Sequence, residues 1–321
     1  MVTVEPVDLT RHDAFAELYS VYERAHDRPF DCPYLAVEKR VNLTDDAYAA
    51  KRALVVRDDG RVVAGGTVVM TLLDNTDFAF VEVFTAPEHR RQGHGTTALD
   101  ALIDIARDHG RTIAFGMPAW AVDAKTDAGR ELAIARGFEL DLLDAVRQLS
   151  LPSAVPTWRL DPDYTLETWR GPCPEAWIDE YAELRRILAS EAPSGEAGLE
   201  NDFWDAARVR KDEADLERVG RRMQVTVARA SDGSLAGHTQ LAFPADGLEV
   251  YQWDTLVRPQ HRGHGLGLAL KCRTMEAAAD LLAGRRRITT ENAASNSHMI
   301  AVNERLGFRQ TAWVGEYVRR I

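Results

Sequence analysis

Three features occur twice along the chain, in the same order and at nearly the same spacing. An Asp-Gly turn between two β-rich runs appears at Asp59-Gly60 and at Asp232-Gly233, 173 residues apart. A Pro-x-His-Arg segment leading into glycines appears at Pro87, His89, Arg90 and at Pro259, His261, Arg262, an offset of 172. A Gly-Phe pair closing a helix-like stretch appears at Gly137-Phe138 and Gly307-Phe308, 170 apart. Three coincidences in register identify a duplicated unit, which constrains the fold more than any single motif. The length of 321 residues fits two domains of roughly 150 residues each. The pattern is interrupted at Leu151-Pro152-Ser153-Ala154-Val155-Pro156, where two prolines and small residues mark a connection. The expected organisation is a first domain over 1–150, a linker over 151–160 and a second domain over 161–321.

Both halves carry the same order of elements. A helical region comes first, over 12–25 in one half and over 175–189 and 203–219 in the other. A hairpin follows at 53–57 and 62–72, with 224–229 and 235–242 as its counterpart, and Asp-Gly between such runs is a strong hairpin signal. A third strand (78–85; 250–257) leads into a glycine loop and a helix. In the first of these helices Leu99, Leu102, Ile103 and Ala106 share one face. Another strand (112–116; 287–291), another helix and a terminal β region close each half. The expected fold class is α/β, of the α+β kind: two domains in tandem, each a mixed and mostly antiparallel sheet flanked by helices.

Charge narrows the partners. Lys+Arg 39 against Asp+Glu 50 gives a formal charge of −11, which excludes a broad nucleic-acid or anionic-membrane surface. Cys32, Cys173 and Cys272 are scattered, with no zinc-ligand spacing, so neither a disulfide scaffold nor a metal site is expected. The first twenty residues have no basic start or apolar run, and no segment approaches ~18 apolar residues, so the chain reads as cytoplasmic with no membrane span.

The segment Arg262-Gly263-His264-Gly265-Leu266-Gly267, and Arg90-Arg91-Gln92-Gly93-His94-Gly95 before it, each sit where a strand hands over to a helix. Glycines permit positive φ, so backbone N–H groups can converge, and the following helix adds its own unpaired N–H groups and dipole. A diphosphate is the natural occupant. No Gly-Lys-Ser/Thr follows, and the loop lies after a third strand, which disfavours a Walker motif and a dinucleotide fingerprint.

Arg-x-x-Gly-x-Gly after a strand ending Val257-Arg258-Pro259 resembles the acyl-CoA signature of the GNAT N-acetyltransferase superfamily. Both halves are similar to it, and the second adds Asn292, Asn296, Met299, Asn303-Glu304 and Leu306-Gly307-Phe308. In organisation the chain is similar to tandem-domain members such as mycothiol synthase. The resemblance implies that backbone groups of Leu256 and Val257 pair with the pantetheine arm, and that N–H groups from Gly263, His264, Gly265, Leu266, Gly267 and Leu268 hold the diphosphate beside Arg262. It places Asn296 near the cofactor's arm, and Arg90, Gly93 and Gly95 at the matching loop of the first half. In many members a Tyr five residues before the Phe of Gly-Phe protonates the leaving thiolate. Here that position is Asn303, whose amide only donates a hydrogen bond, leaving Tyr251, Tyr317 or a water as alternative acids. The first half has Ala133 there and Thr126 opposite Asn296, so it either binds acyl-CoA or keeps a relic of the site, and turnover falls to the second half.

A base must take the proton of an attacking amine. Asp254, eight residues before Arg262, is the first candidate and Glu291 the second; Glu82 is the counterpart of Asp254. His94 and His264 are expected to be solvated loop residues, Cys272 a small buried one, and Trp120, Trp253 and Trp313 core. Arg285-Arg286-Arg287 reads as a solvated edge or a contact for the 3′-phosphate of CoA, and Glu191, Glu196, Glu200, Asp202 and Asp205 as a solvated face. The expected function is transfer of an acetyl group from acetyl-CoA to a primary amine of a small molecule, in the second half, by a monomer or homodimer. The alternative is a non-catalytic acyl-CoA-binding sensor.

Overall fold

Residues 53–56, Ala-Leu-Val-Val, are all buried and alternate between two cores. Leu54 and Val56 lie with Leu99, Leu102, Ile103 and Ala106, whereas Ala53 and Val55 lie with Leu18, Val21, Tyr22 and Ala25. A strand apolar on both faces needs a helix layer on each side. In the computed structural model, which describes every residue except Ala192, Ser194 and Asp246, both halves of the chain are built this way.

Two compact units are present: Met1–Asp144 with Gly195–Leu199 and Ala312–Ile321, and Ala145–Ser194 with Glu200–Thr311. The first contains β1 (Val2–Pro6), α1 (His12–Ala25), α2 (Ala36–Asn42), β2 (Ala49–Asp58), β3 (Arg61–Thr71), β4 (Phe78–Thr85), α3 (His94–Asp108), β5 (Ile113–Gly116), β6 (Ala119–Ala121) and α4 (Ala128–Ala135). After β7 (Glu139–Ser150) come β8 (Tyr164–Arg170), α5 (Ile178–Arg186), α6 (Leu188–Glu191), α7 (Ala206–Arg218), β9 (Arg222–Ala230), β10 (Leu235–Phe243) and β11 (Glu249–Val257). Then follow α8 (Leu266–Ala277), α9 (Ala279–Leu282), β12 (Arg287–Ala293), α10 (Ser297–Leu306) and β13 (Arg309–Arg320). The short β1, α2 and β6 are not among the elements expected from the sequence.

Strand order is β1-β2-β3-β4-β5-β13 in the first unit, with β6 also on β13, and β7-β12-β11-β10-β9-β8 in the second. The strand that completes the first sheet therefore comes from the far end of the chain, with Tyr317 opposite Gly116 and Arg320 opposite Ile113. Residues 145–150 belong to the second unit, so the compact units do not follow a division of the chain at 150. The strands that follow the two Gly-Phe caps are β7 and β13.

The repeated features have repeated structural causes. Asp59 and Gly60 both have positive φ (46° and 80°), as a tight hairpin turn requires. Gly137 and Gly307 close α4 and α10 in the left-handed region, φ 75° and 95°, and the next residues, Phe138 and Phe308, are buried and donate N–H to Ala133 O and Asn303 O. These are glycine C-caps with an accompanying apolar anchor. The parallel pairs β4–β5 and β11–β12 stop early: at Phe80 opposite Phe115 and at Tyr251 opposite Thr289. Beyond those points β4 and β11 run on to Thr85 and Val257, and each pair splays open.

Candidate functional site

At the mouth of the second splay, Pro259–His261 forms a single 3₁₀ turn and Arg262 folds back, its Nε 3.2 Å from Val257 O. Gly263 and Gly265 follow with φ 90° and 71°, and α8 starts at Leu266 with no side-chain cap. Ala269 N–H donates to Gly265 O, so the N–H groups of Leu266, Gly267 and Leu268 have no partner within the helix. A Cβ on Gly263 or Gly265 would meet nothing within 4 Å, and one on Gly267 only Val302, at 3.9 Å. The glycines are thus required by backbone conformation and not by crowding from protein, and the space above them is open. Convergent N–H groups at a helix start are what a diphosphate needs.

The first unit repeats this loop in detail. Arg90 Nε lies 3.2 Å from Thr85 O, and Gly93, the residue before α3, has φ 90°. Where the second loop has Gly263 the first has Arg91, held at φ 64° at a cost of about 1 kcal/mol and paired with Glu131 at 2.5 Å. Gly95 is tighter than its counterpart, since a Cβ there would sit 3.2 Å from Thr85 Oγ1. His94 is buried at 4% exposure as the first residue of α3, which corrects the expectation of a solvated loop histidine: it stands in the place of the buried Leu266 that opens α8, 172 residues later, and not in that of His264. His264 is exposed, with Nδ1 2.7 Å from Asp161 Oδ2, and this bond holds the Asp161 carboxyl below its ordinary range.

Leu256 and Val257 lie on β11 opposite His238 and Gly237. A Cβ on Gly237 would stand 2.4 Å from Leu256 O, so the strands approach too closely there for any other residue. Gly65, 172 residues earlier, is equally confined by Phe84 and Leu54. This glycine pair is a repeat signal that a search for loops overlooks. Arg262, besides its bond to Val257, reaches Glu191 Oε2 at 2.7 Å. Its guanidinium therefore clamps the loop to the end of α6.

Of the acid–base candidates, Asp254 sits in the splay, three residues past Tyr251, with Arg185 Nε 3.5 Å from its Oδ2. Arg185 also binds Asp212 at 2.7 Å and stacks on the Trp204 ring at 3.6 Å. Burial works against that guanidinium, but Asp254 and Asp212 outweigh it and raise its pKa. Beside them Gln240 Nε2 donates to Tyr181 OH, and burial drives His238, with no hydrogen bond at either ring nitrogen among the described residues, down to about 4. Glu291 is exposed on β12. Asn296 caps α10, its Oδ1 accepting from Met299 N at 3.1 Å. Asn303 is fully buried, and both ends of its amide are engaged: Oδ1 accepts from Lys271 Nζ at 2.8 Å and Nδ2 donates to Asn292 Oδ1 at 2.6 Å. Its side chain does not face open space.

In the first unit Glu82 is bound by Lys39 Nζ and by Thr67 Oγ1 at 3.2 Å, with His26 Nε2 at 3.7 Å. Burial raises its pKa, yet the two bases and the hydrogen bonds pull it below its ordinary value.

Lys271 is the residue that sequence reasoning missed. Its signal was present: a lone lysine inside Leu266-Gly-Leu-Ala-Leu-Lys-Cys272, on a helix whose described faces are mostly buried. Burial alone brings its pKa from 10.5 to about 7. The Arg285-Arg286-Arg287 run is bound locally: Arg285 to Gly247 O and Pro244 O, Arg286 and Arg287 to Glu249 at 2.7 and 2.5 Å. Only Arg286 is largely solvated, so the run is an ion-pair cluster rather than a free edge. Cys272 is buried and its thiol is pushed up to about 11, which leaves it inert. Trp120 is core, while Trp253 and Trp313 are half-buried. No group of metal-ligating side chains, and no helix long and apolar enough to cross a membrane, occurs among the described residues.

The same arrangement is found in other proteins. The chain matches the acetyltransferase (GNAT) family over residues 15–125 and 144–308. Sequence comparison with curated proteins finds no match. Among solved structures it is similar to a tandem GNAT protein from the clavulanic acid biosynthesis pathway, at 24% identity and a TM-score of 0.82, covering 100% of this chain and 98% of that one. It is also similar to a GCN5-related N-acetyltransferase from Sphaerobacter thermophilus, at 16% identity and a TM-score of 0.70, covering 99% and 95%. These likenesses establish a shared fold, and the family match over both halves carries the assignment: with its two glycine loops at the mouths of two splayed sheets, the chain belongs to the acetyltransferase (GNAT) family and is an acyltransferase.

Proposed function

We propose that the protein transfers an acetyl group from acetyl-CoA to a primary amine of a small molecule, by direct attack in the second unit. One observation carries the reading: the uncapped start of α8, with left-handed Gly263 and Gly265 under open space, stands at the mouth of the β11–β12 splay. Backbone N–H groups from Gly263 to Leu268 hold the diphosphate, and the free edge of Leu256 and Val257 pairs with the pantetheine arm. The splay aligns thioester and amine, which supplies most of the rate by positioning. Asp254 takes the amine proton once the incoming amine loosens its contact with Arg185, and Glu291 is the second base candidate. The first unit keeps the loop of Arg90, Gly93 and Gly95 but has Ala133 in place of Asn303, and it contributes binding or folding rather than turnover. A net charge of −11 suits a cationic acceptor.

The test is a pair of variants. Asp tolerates left-handed φ better than most residues, so Gly265→Asp and Gly93→Asp keep the fold and bring a negative charge to each loop. Gly265→Asp abolishes acetyl-CoA binding by calorimetry and thiol release with an amine panel; Gly93→Asp leaves most turnover. Asp254→Asn lowers turnover with acetyl-CoA affinity nearly unchanged. If Gly93→Asp proves the more damaging, the active unit is the first. Binding without thiol release by any amine would mark an acyl-CoA sensor.

A further inference from the structure

Lys271 is 1% exposed in the middle of α8. Leu266, Ala269, Leu270, Cys272, Thr274 and Met275 are buried around it, so its stem has no path by which the amine reaches water. Among the described residues its one hydrogen bond is to Asn303 Oδ1, and the Phe308 ring centroid lies 5.8 Å from Nζ. The charged and titratable groups on the elements around it are Arg273 and Glu276 of α8 itself, Glu167 and Arg170 of β8, Arg222 and Arg229 of β9, His238 of β10, Glu249 and Asp254 of β11, Arg287 and Glu291 of β12, Asp280 of α9, and His298, Glu304 and Arg305 of α10. None of them acts on Lys271, whose pKa is lowered by desolvation alone. A buried amine without a carboxylate is a standing cost, and an apolar side chain of the same length would avoid it.

What the lysine adds is direction. An amine N–H facing Asn303 forces the amide to present oxygen to Lys271 and nitrogen to Asn292. Asn292 must then turn its oxygen inward, which leaves its NH₂ group pointing away from the core. Asn292 is half-buried and stands three residues beyond Thr289, the last β12 residue paired with β11. Its Nδ2 has no protein partner among the described residues and is not among the buried unbonded atoms. The chain of bonds therefore starts in the core and ends in the splay.

We propose that Lys271 is a positioning residue for acyl transfer: through Asn303 it holds the Asn292 amide so that Nδ2–H donates to the sulfur of the departing CoA thiolate. This rests on the reading that acyl-CoA occupies the second splay. As the amine nitrogen bonds the acyl carbon, the C–S electron pair passes to sulfur, and the proton lost by the amine ends on the thiol. Asn292 contributes hydrogen bonds and no proton, so the reaction balances without a general acid at position 303.

The experiment uses the full chain, with free CoA and acetyl-CoA as probes. Side-chain amide signals of Asn292 and Asn303, followed by ¹⁵N NMR, titrate together near neutral pH in the wild type and stop doing so in Lys271→Met. Free CoA shifts the Asn292 signal in the wild type. Lys271→Met lowers kcat about tenfold, the size of one hydrogen bond to a charged group, with KM for acetyl-CoA unchanged. Asn292→Ala, a change at a half-buried site that does not depend on the core repacking, has the same effect, and the double variant falls no further. Wild-type kcat in either single variant, or additive losses in the double one, overturns the proposal. Absence of CoA binding by the wild type instead overturns the reading of the splay, and the positioning role with it.

Discussion

A lysine sealed in a helix core makes stability rise with pH, as a salt-bridged acid does, but across the neutral-to-alkaline range instead of the acid one. Between pH 10.5 and about 7 the unfolded chain binds a proton at Lys271 that the folded protein does not, so stability rises with pH across that window and the penalty is complete below it. Lys271→Met removes the penalty. The variant's advantage in urea unfolding should be larger at pH 5 than at pH 9 by about 3 kcal/mol. His238, held neutral by burial, destabilises both proteins alike in acid and cancels from the difference. A constant offset between the two proteins would mean that Lys271 reaches solvent.

At the scale of elements, the N-terminus of α10 separates a structural role from a ligand role. Asn296 Oδ1 accepts the Met299 N–H, so Asn296→Ala should cost about 1 kcal/mol of stability, and Asn296→Ser should restore it. If the cap is the whole of its function, Asn296→Ser binds acetyl-CoA as tightly as the wild type. If the amide also meets the pantetheine arm, affinity falls in both variants while stability recovers in one, which calorimetry and thermal unfolding read separately. The loops themselves were legible because positive φ selects glycine: Gly93, Gly263 and Gly265 all adopt it. Arg91 at φ 64° shows the limit of that logic, since a side chain occupies the conformation where its counterpart is Gly263.

For the whole molecule, strand exchange along the chain sets what can fold alone. The first sheet ends on β13, with Tyr317 and Val318 opposite Gly116 and Phe115, and Tyr317 is buried in the core that holds Leu54, Val68 and Leu102. A fragment of residues 1–150 lacks that strand, leaves β5 as an open edge and should aggregate or stay unfolded by circular dichroism. The same fragment fused to residues 309–321 through a flexible linker should unfold cooperatively. Cooperative unfolding of the bare fragment would show that β13 is dispensable.

The sequence by itself determined the duplication, the strand–loop–helix setting of both glycine loops and the caps at Gly137 and Gly307, because each depends on local backbone conformation that few residues adopt. It also determined a mixed sheet flanked by helices, read from the order of strands and helices in each half. Tertiary structure alone decided the rest. Whether β7 or β13 completes a given sheet depends on pairing between segments far apart in sequence. Arg185 beside Asp254, Glu191 on Arg262 and Glu249 under the arginine run are ion pairs between distant elements, and no spacing rule encodes them. Lys271 was visible as a lysine, but only burial from every side turns it into an amine that titrates near neutrality and can orient an amide two bonds away.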